Sequence, residues 1–276
     1  MRHIYESVAT RAPFGRLAGA PHTLRAGLTL VALVMGGCLA EVGDEHDVAD
    51  PELPTEKLNN GIKVAEDAEE KLGLVAIPGC SATAIAPTAL VTASHCVDAL
   101  PEDPGRATFL GRSYEISHVI RHPNYPLPSE LDRSNQKYDV GLVILETPLL
   151  NRQGLGWVPL VRMTNETTED FVDRLLLCYG RGAPDFNEWH WAGLMGDEIE
   201  DRGFLRLRTF PYPSGAHLME GDSGGPCFVY SNGNPFLVSV NKSAPATAKP
   251  TDYEGYAGTV NVLRPELTQW ISASIP

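Results

Sequence analysis

The 276-residue sequence lacks several features that would place it in common functional classes. Lys and Arg together number 22 against 35 Asp and Glu, and the formal net charge is −13. No basic cluster offsets that excess, which excludes nucleic acid as a partner, since phosphate binding needs grouped Lys and Arg. No apolar run is long enough to span a bilayer; the longest, Leu28 to Met35, falls well short. There is no internal repeat, no low-complexity tract and no long helical periodicity before the final residues. Cysteine is scarce, at five residues, and aromatics make up 8%.

What is present is 26 Gly, 22 Pro and 43% apolar residues, ordinary for a folded chain and unlike a disordered one. The Leu28–Met35 run follows Arg25 and ends in Gly36-Gly37-Cys38, the layout of a secretory signal over residues 1–37. Two processing routes stay open. One lipidates Cys38 as the mature N-terminus, because the run resembles a bacterial lipoprotein signal. The other cleaves after Ala40. Residues 38–60 are acidic, Pro-containing and aperiodic, as expected of a flexible tether. Export implies an oxidising compartment in which disulfides persist. Without Cys38, the cysteines Cys80, Cys96, Cys178 and Cys227 allow three pairings, and spacing alone does not choose among them.

Short apolar runs recur from Gly73 onward: GLVAI, SATAIA, ALVTA, ATFLG, EISHVI and VGLVIL. A second set follows in RLLLCYG, FLRLRTF, PCFVY, PFLVSV and YAGTVNV. Turn residues separate them, so both sets predict β-strands, and two sets of similar size suggest two barrels or sandwiches. Residues 157–168 join the sets. Leu263, Leu267, Trp270 and Ile271 share a helical face, with Pro265 suited to the first turn.

The chemistry-bearing run is Gly221-Asp222-Ser223-Gly224-Gly225-Pro226. Its glycines allow a tight turn presenting the Ser223 hydroxyl while the amides of Gly221 and Ser223 converge on one point, as holding an oxyanion requires. A serine needs a base. His95, in Thr92-Ala93-Ser94-His95-Cys96 at the end of a predicted strand, is the best placed. His3 and His22 fall in the export segment and His46 in the tether. A surface role suffices for His118 and His122, and His190, between two tryptophans, is assigned to packing. Asp139 leads into the apolar run Val140–Leu145, where a carboxylate is costly unless paired. Pairing with His95 supplies the partner and fixes the imidazole tautomer. Read alone, Asp139 is a solvated strand start.

TASHCV, YDVGLVIL and GDSGGP, in the order His, Asp, Ser, resemble the trypsin/chymotrypsin family of serine peptidases, over roughly residues 62–275. His122-Pro123-Asn124-Tyr125 and the closing helix resemble it too. The resemblance implies an all-β fold of two six-stranded antiparallel barrels with a C-terminal helix and an active site in the cleft between them. The boundaries expected are about 61–156, 157–262 and 263–274, within a domain ending at 275. It implies His95, Asp139 and Ser223 as catalytic residues and the Gly221 and Ser223 amides as oxyanion donors. It also implies a Cys80–Cys96 bridge, worth roughly 3 kcal/mol on the loop-entropy model. Cys178 and Cys227 are each displaced by two residues from a family bridge. Matched shifts in an antiparallel ladder preserve pairing, so Cys178–Cys227 is expected, with two free thiols as the alternative.

The sequence departs from the family in three places. No basic residue precedes Ile62 in Asn60-Gly61-Ile62-Lys63-Val64, where activating cleavage would free an ammonium to pair with Asp222. At the base of the specificity pocket stands His217, not Asp, which argues against preference for Lys or Arg. The substrate-pairing segment aligns with Lys242-Ser243-Ala244. The expectation is therefore an exported serine endopeptidase acting as a monomer on a protein or peptide substrate. It uses no metal or organic cofactor, and touches a membrane only through a lipid on Cys38. Competing readings are an inactive binding module of the same fold and a structural surface lipoprotein.

Overall fold

The computed structural model describes residues 61–101, 105–126, 136–159, 162–163, 166–182, 188–200, 203–209, 215–243 and 256–275. The signal segment, Cys38 and the tether lie outside them, as does Ala244. Two closed six-stranded antiparallel barrels and a C-terminal helix make up the fold.

The first barrel contains β2 (Leu74–Ile77), β3 (Cys80–Ala86), β4 (Ala89–Thr92), β5 (Arg106–Phe109), β6 (Arg112–Arg121) and β7 (Gly141–Leu145), closed in the order β2-β3-β4-β7-β6-β5. The second contains β9 (Leu175–Gly180), β10 (His190–Ile199), β11 (Leu205–Thr209), β12 (Pro226–Ser231), β13 (Asn234–Ser243) and β14 (Tyr256–Val262). Its path β9-β10-β11-β14-β13-β12 returns to β9 where Cys227 pairs with Cys178. Two short strands extend it: β1 (Ile62–Lys63) pairs with β10, and β8 (Arg162–Met163) runs parallel to β13. The segment that joins the two strand sets thus contributes a strand of its own.

The continuous apolar runs have a physical cause. Successive strand side chains face opposite ways. In β7, Val143 and Leu145 point into the first barrel with Val75, Leu90 and Phe109, while Leu142 and Ile144 point outward. That outward face meets Tyr179, Phe228, Leu237 and Val240 of the second barrel. Both faces of β4 and β7 are therefore buried, and neither strand alternates with polar residues. The second barrel fills its interior with Leu176, Leu194, Leu207, Val238 and Val260.

The described chain also holds three α-helices. α1 (Glu66–Leu72) ends in Gly73, whose φ of 64° is the left-handed conformation of a helix stop. α2 (Ser94–Asp98) occupies the stretch where the sequence suggested only a strand end, so His95 sits in a helical turn. α3 (Pro265–Ser274) has Pro265 in its first turn and buries Leu267 and Ile271 beside Leu263, as the periodicity predicts.

The surface role expected of His122 is incorrect. Its ring is buried, stacked on Tyr138 at 4.8 Å and tilted against Trp270 of α3 at 4.6 Å. Pro123 and the polar neighbours concealed this in the sequence. The Asn124 amide donates to His122 Nδ1, so the ring is neutral with its proton on Nε2. Burial, helped by the Arg264 charge, lowers its pKa from 6.5 to about 4, against a smaller opposing effect of Glu266. The unfolded imidazole binds a proton below pH 6.5 and the folded one does not until about pH 4, so stability present above pH 6.5 is lost as pH falls across that window. Urea midpoints taken between pH 7.5 and 4 should fall in the parent and fall less in His122→Phe; parallel curves would contradict this.

Candidate active site

His95 is held from both sides. Its Nδ1 lies 2.7 Å from Asp139 Oδ2, and its backbone N–H donates to Asp139 Oδ1 at 2.9 Å. Asp139 is 1% exposed and gives both carboxylate oxygens to one residue, while the imidazole is 35% exposed. With Nδ1 committed to the carboxylate, Nε2 is the nitrogen left to exchange a proton. α2 comes close enough for this because β7 starts with glycine: a Cβ at Gly141 would sit 2.6 Å from Val97 Cγ2. Ser94 Oγ donates to the Val140 carbonyl at 2.7 Å and locks α2 to the same strand. The Cys80–Cys96 disulfide ties α2 to β3. Cys80, His95 and Cys96 bring ligand atoms within 4.8 Å of one another, but both sulfurs are bonded to each other and neither is a thiolate ligand.

The second barrel delivers Ser223 to this region. The Ser81 N–H donates to the Ser223 carbonyl at 2.8 Å, and Ser81 Oγ donates to the Gly221 carbonyl at 2.9 Å. Thr92 Oγ1 in turn donates to the Ser81 carbonyl. The approach is tight: a Cβ on Gly224 would lie 2.0 Å from Thr92 Oγ1 and 3.0 Å from the Ala93 nitrogen, two residues before His95. Ser223 Oγ donates to the Lys242 carbonyl at 3.3 Å.

The amides of the turn divide into two groups. Those of Asp222, Gly224 and Gly225 donate to the carbonyls of Met219, Asn241 and Asp222. Those of Gly221 and Ser223 donate to no acceptor among the described residues. Gly221, at φ 92°, takes a conformation that a side chain would resist. Two unengaged amides beside a serine hydroxyl are suited to receive an anion.

Asp222 is wholly buried. One carboxylate oxygen accepts from Gly182 N–H at 2.6 Å and the other from Met219 N–H at 2.7 Å. Burial raises its pKa from 3.8 to about 7, and the two amides pull the other way without cancelling it. In the intact chain Ile62 of β1 pairs with Trp191 of β10. Asn241, also buried, donates through Nδ2 to the carbonyls of Tyr179 and Asp222.

His217 is buried, and its neighbours Ala216 and Leu218 belong to the core of the second barrel. Its Nδ1 pairs with the Gly215 carbonyl at 3.0 Å. Lys242 is half-buried with its ammonium 4.3 Å above the Phe204 ring, and Ser243 ends β13 opposite Thr259. His190 is buried in β10 and His118 is exposed. The Cys178–Cys227 disulfide is formed between directly paired strand residues. Ser81 and Asn241 escaped the sequence reading. Their only signals were adjacency to Cys80 and to Lys242.

No protein-family model matches the chain. The fold is the general trypsin-like double barrel. Two disulfides fit an oxidising compartment. Among the described residues no helix is long and apolar enough to cross a membrane.

The glycine at 180 tests the fit around Asp222. A Cβ there would lie 2.0 Å from Asp222 Oδ1. Gly180→Ala should therefore destabilise the protein by about 1–3 kcal/mol, as overpacking does, read from urea unfolding. A change within error would contradict the packing described.

Proposed function

We propose that the protein is an exported serine endopeptidase that cleaves a protein or peptide substrate through Ser223, His95 and Asp139. The observation that most supports this is the pairing of a buried Asp139 with His95 Nδ1 on one barrel, next to a turn of the other barrel that carries Ser223 and two unengaged amides.

Each group has one task in this reading. The Ser223 hydroxyl leaves the Lys242 carbonyl and passes its proton to His95 Nε2 as Oγ bonds to the scissile carbonyl carbon. The carbonyl oxygen becomes an oxyanion held by the amides of Gly221 and Ser223. Asp139 stabilises the imidazolium and remains ionised. As the C–N bond breaks, Nε2 gives its proton to the departing amine. Water then gives a proton to Nε2 and attacks the acyl-enzyme, releasing the acid and restoring the Ser223 hydroxyl. No step requires a metal or organic cofactor. Of the residues assigned to the pocket for the side chain before the scissile bond, His217 favours a neutral or acidic side chain over Lys or Arg. A lipid on Cys38 accounts for any membrane attachment, and the enzyme acts as a monomer.

A fluorophosphonate probe tests this on the full chain. The parent should be phosphonylated once, at Ser223, and Ser223→Ala not at all. Asp139→Asn should lower kcat on a peptide substrate by about 10⁴-fold. A folded parent that takes no label would contradict the reading and favour a binding module.

A further inference from the structure

Each residue of the Ser223 turn has a carbonyl as well as an amide, and the carbonyls decide whether the amides can be used. A carbonyl rotated into the space that the Gly221 and Ser223 amides leave for an anion would repel it. All three carbonyls of the run are held elsewhere. That of Asp222 accepts from Gly225 N–H at 3.0 Å and from Asn241 Nδ2 at 3.1 Å, and that of Ser223 accepts from Ser81 N–H at 2.8 Å. The Gly221 carbonyl has one donor among the described residues, the Ser81 hydroxyl at 2.9 Å. The two residues that Ser81 grips by their carbonyls are the two whose amides are unengaged. Gly221 is where the grip matters most. Without a Cβ it is free to rotate the peptide that follows it, and its φ is 92°. That peptide is pinned at both ends, since Asp222 N–H donates to the Met219 carbonyl at 3.1 Å. With the hydroxyl gone, a buried carbonyl would have no donor, and rotation of the peptide would be its way to one. Ser81 is itself fixed. It is fully buried, its carbonyl accepts from Thr92 Oγ1 at 2.8 Å, and a Cβ on Gly224 would lie 2.4 Å from the same carbonyl oxygen. For packing alone, alanine would serve at this place in β3 opposite Ala76; the hydroxyl adds the bond to Gly221.

We infer that Ser81 is a positioning residue for the reaction: its hydroxyl holds the Gly221 carbonyl away from the site and so keeps the Gly221 and Ser223 amides open to the oxyanion. It touches no reacting atom and acts through Gly221. The inference rests on the peptidase reading above and adds a side chain of the first barrel to the part of the site that the second barrel supplies.

Ser81→Ala in the full chain tests it, with p-nitrophenyl acetate as substrate, corrected for turnover by Ser223→Ala, and a fluorophosphonate as probe. The variant keeps the Ser81 N–H and with it the bond to the Ser223 carbonyl. Acylation and deacylation each pass through an oxyanion, so both should slow together. The expected result is a kcat lower by about 10-fold with KM little changed, and phosphonylation of Ser223 slowed by a similar factor. Urea midpoints taken alongside separate stability from positioning. A lowered midpoint with kcat and phosphonylation rate equal to the parent's would make Ser81 a packing residue and overturn the inference, while the peptidase reading stands. A loss confined to KM would do the same. A folded parent that is not phosphonylated would overturn both. If S81A does not fold, Ser81→Gly, which demands no more room and keeps the same N–H, makes the same comparison.

Discussion

Everything proposed for this protein depends on a seam of hydrogen bonds between the two barrels. Its centre is Ser81, whose N–H and Oγ hold the carbonyls of Ser223 and Gly221, and whose own carbonyl is held by Thr92 Oγ1. Ser81 follows Cys80, which is bonded to Cys96, and Cys96 follows His95. The turn carrying Ser223 and the helix carrying His95 are thus fixed to the same few atoms of β3. The proposed site draws on both barrels: His95 and Asp139 come from the first, Ser223 and the unengaged amides from the second. The interface beneath the seam, with Leu142 and Ile144 against Phe228 and Leu237, makes that registration rigid.

Glycine permits each close approach. Gly141 admits α2 to β7, Gly224 admits the turn to Thr92, and Gly180 and Gly182 admit Asp222 to the end of β9. A single methyl group at Gly141, Gly180 or Gly224 would clash with Val97, Asp222 or Thr92. Stability is thereby tied to the site. The buried Asp222 carboxyl disfavours the folded state as pH rises from its unfolded value through about 7, a cost accepted for a turn of fixed direction.

Much of the fold was legible in the sequence because its signals are local. Runs such as VGLVIL and ALVTA are apolar at every position, since their strands are buried on both faces, and the Gly- and Pro-rich stretches between them mark turns. Cys178 and Cys227 were legible through register, because matched displacements keep antiparallel partners opposite each other. The Ser223 motif was legible because a glycine-flanked serine already describes a turn. What escaped was set by contacts distant in sequence. Asp139 alone looks like a solvated strand start; only the approach of α2 pairs it. His122 looks like a loop residue until α3 and Tyr138 close over it. Ser81 and Asn241 carry no intrinsic sign of function, since their roles exist only where the barrels meet. The short α2 was missed because five residues are too few to show helical periodicity.

The central claim is that the seam assembles one chemical site from two barrels. The measurement that tests it most directly is a crystal structure of the full chain after reaction with a fluorophosphonate. The account predicts phosphorus on Ser223 Oγ, one phosphoryl oxygen within hydrogen-bonding distance of the Gly221 and Ser223 amides, and His95 Nε2 facing the adduct with Nδ1 still on Asp139. An adduct whose oxygens avoid those amides, or a His95 ring turned away from Ser223, would contradict it.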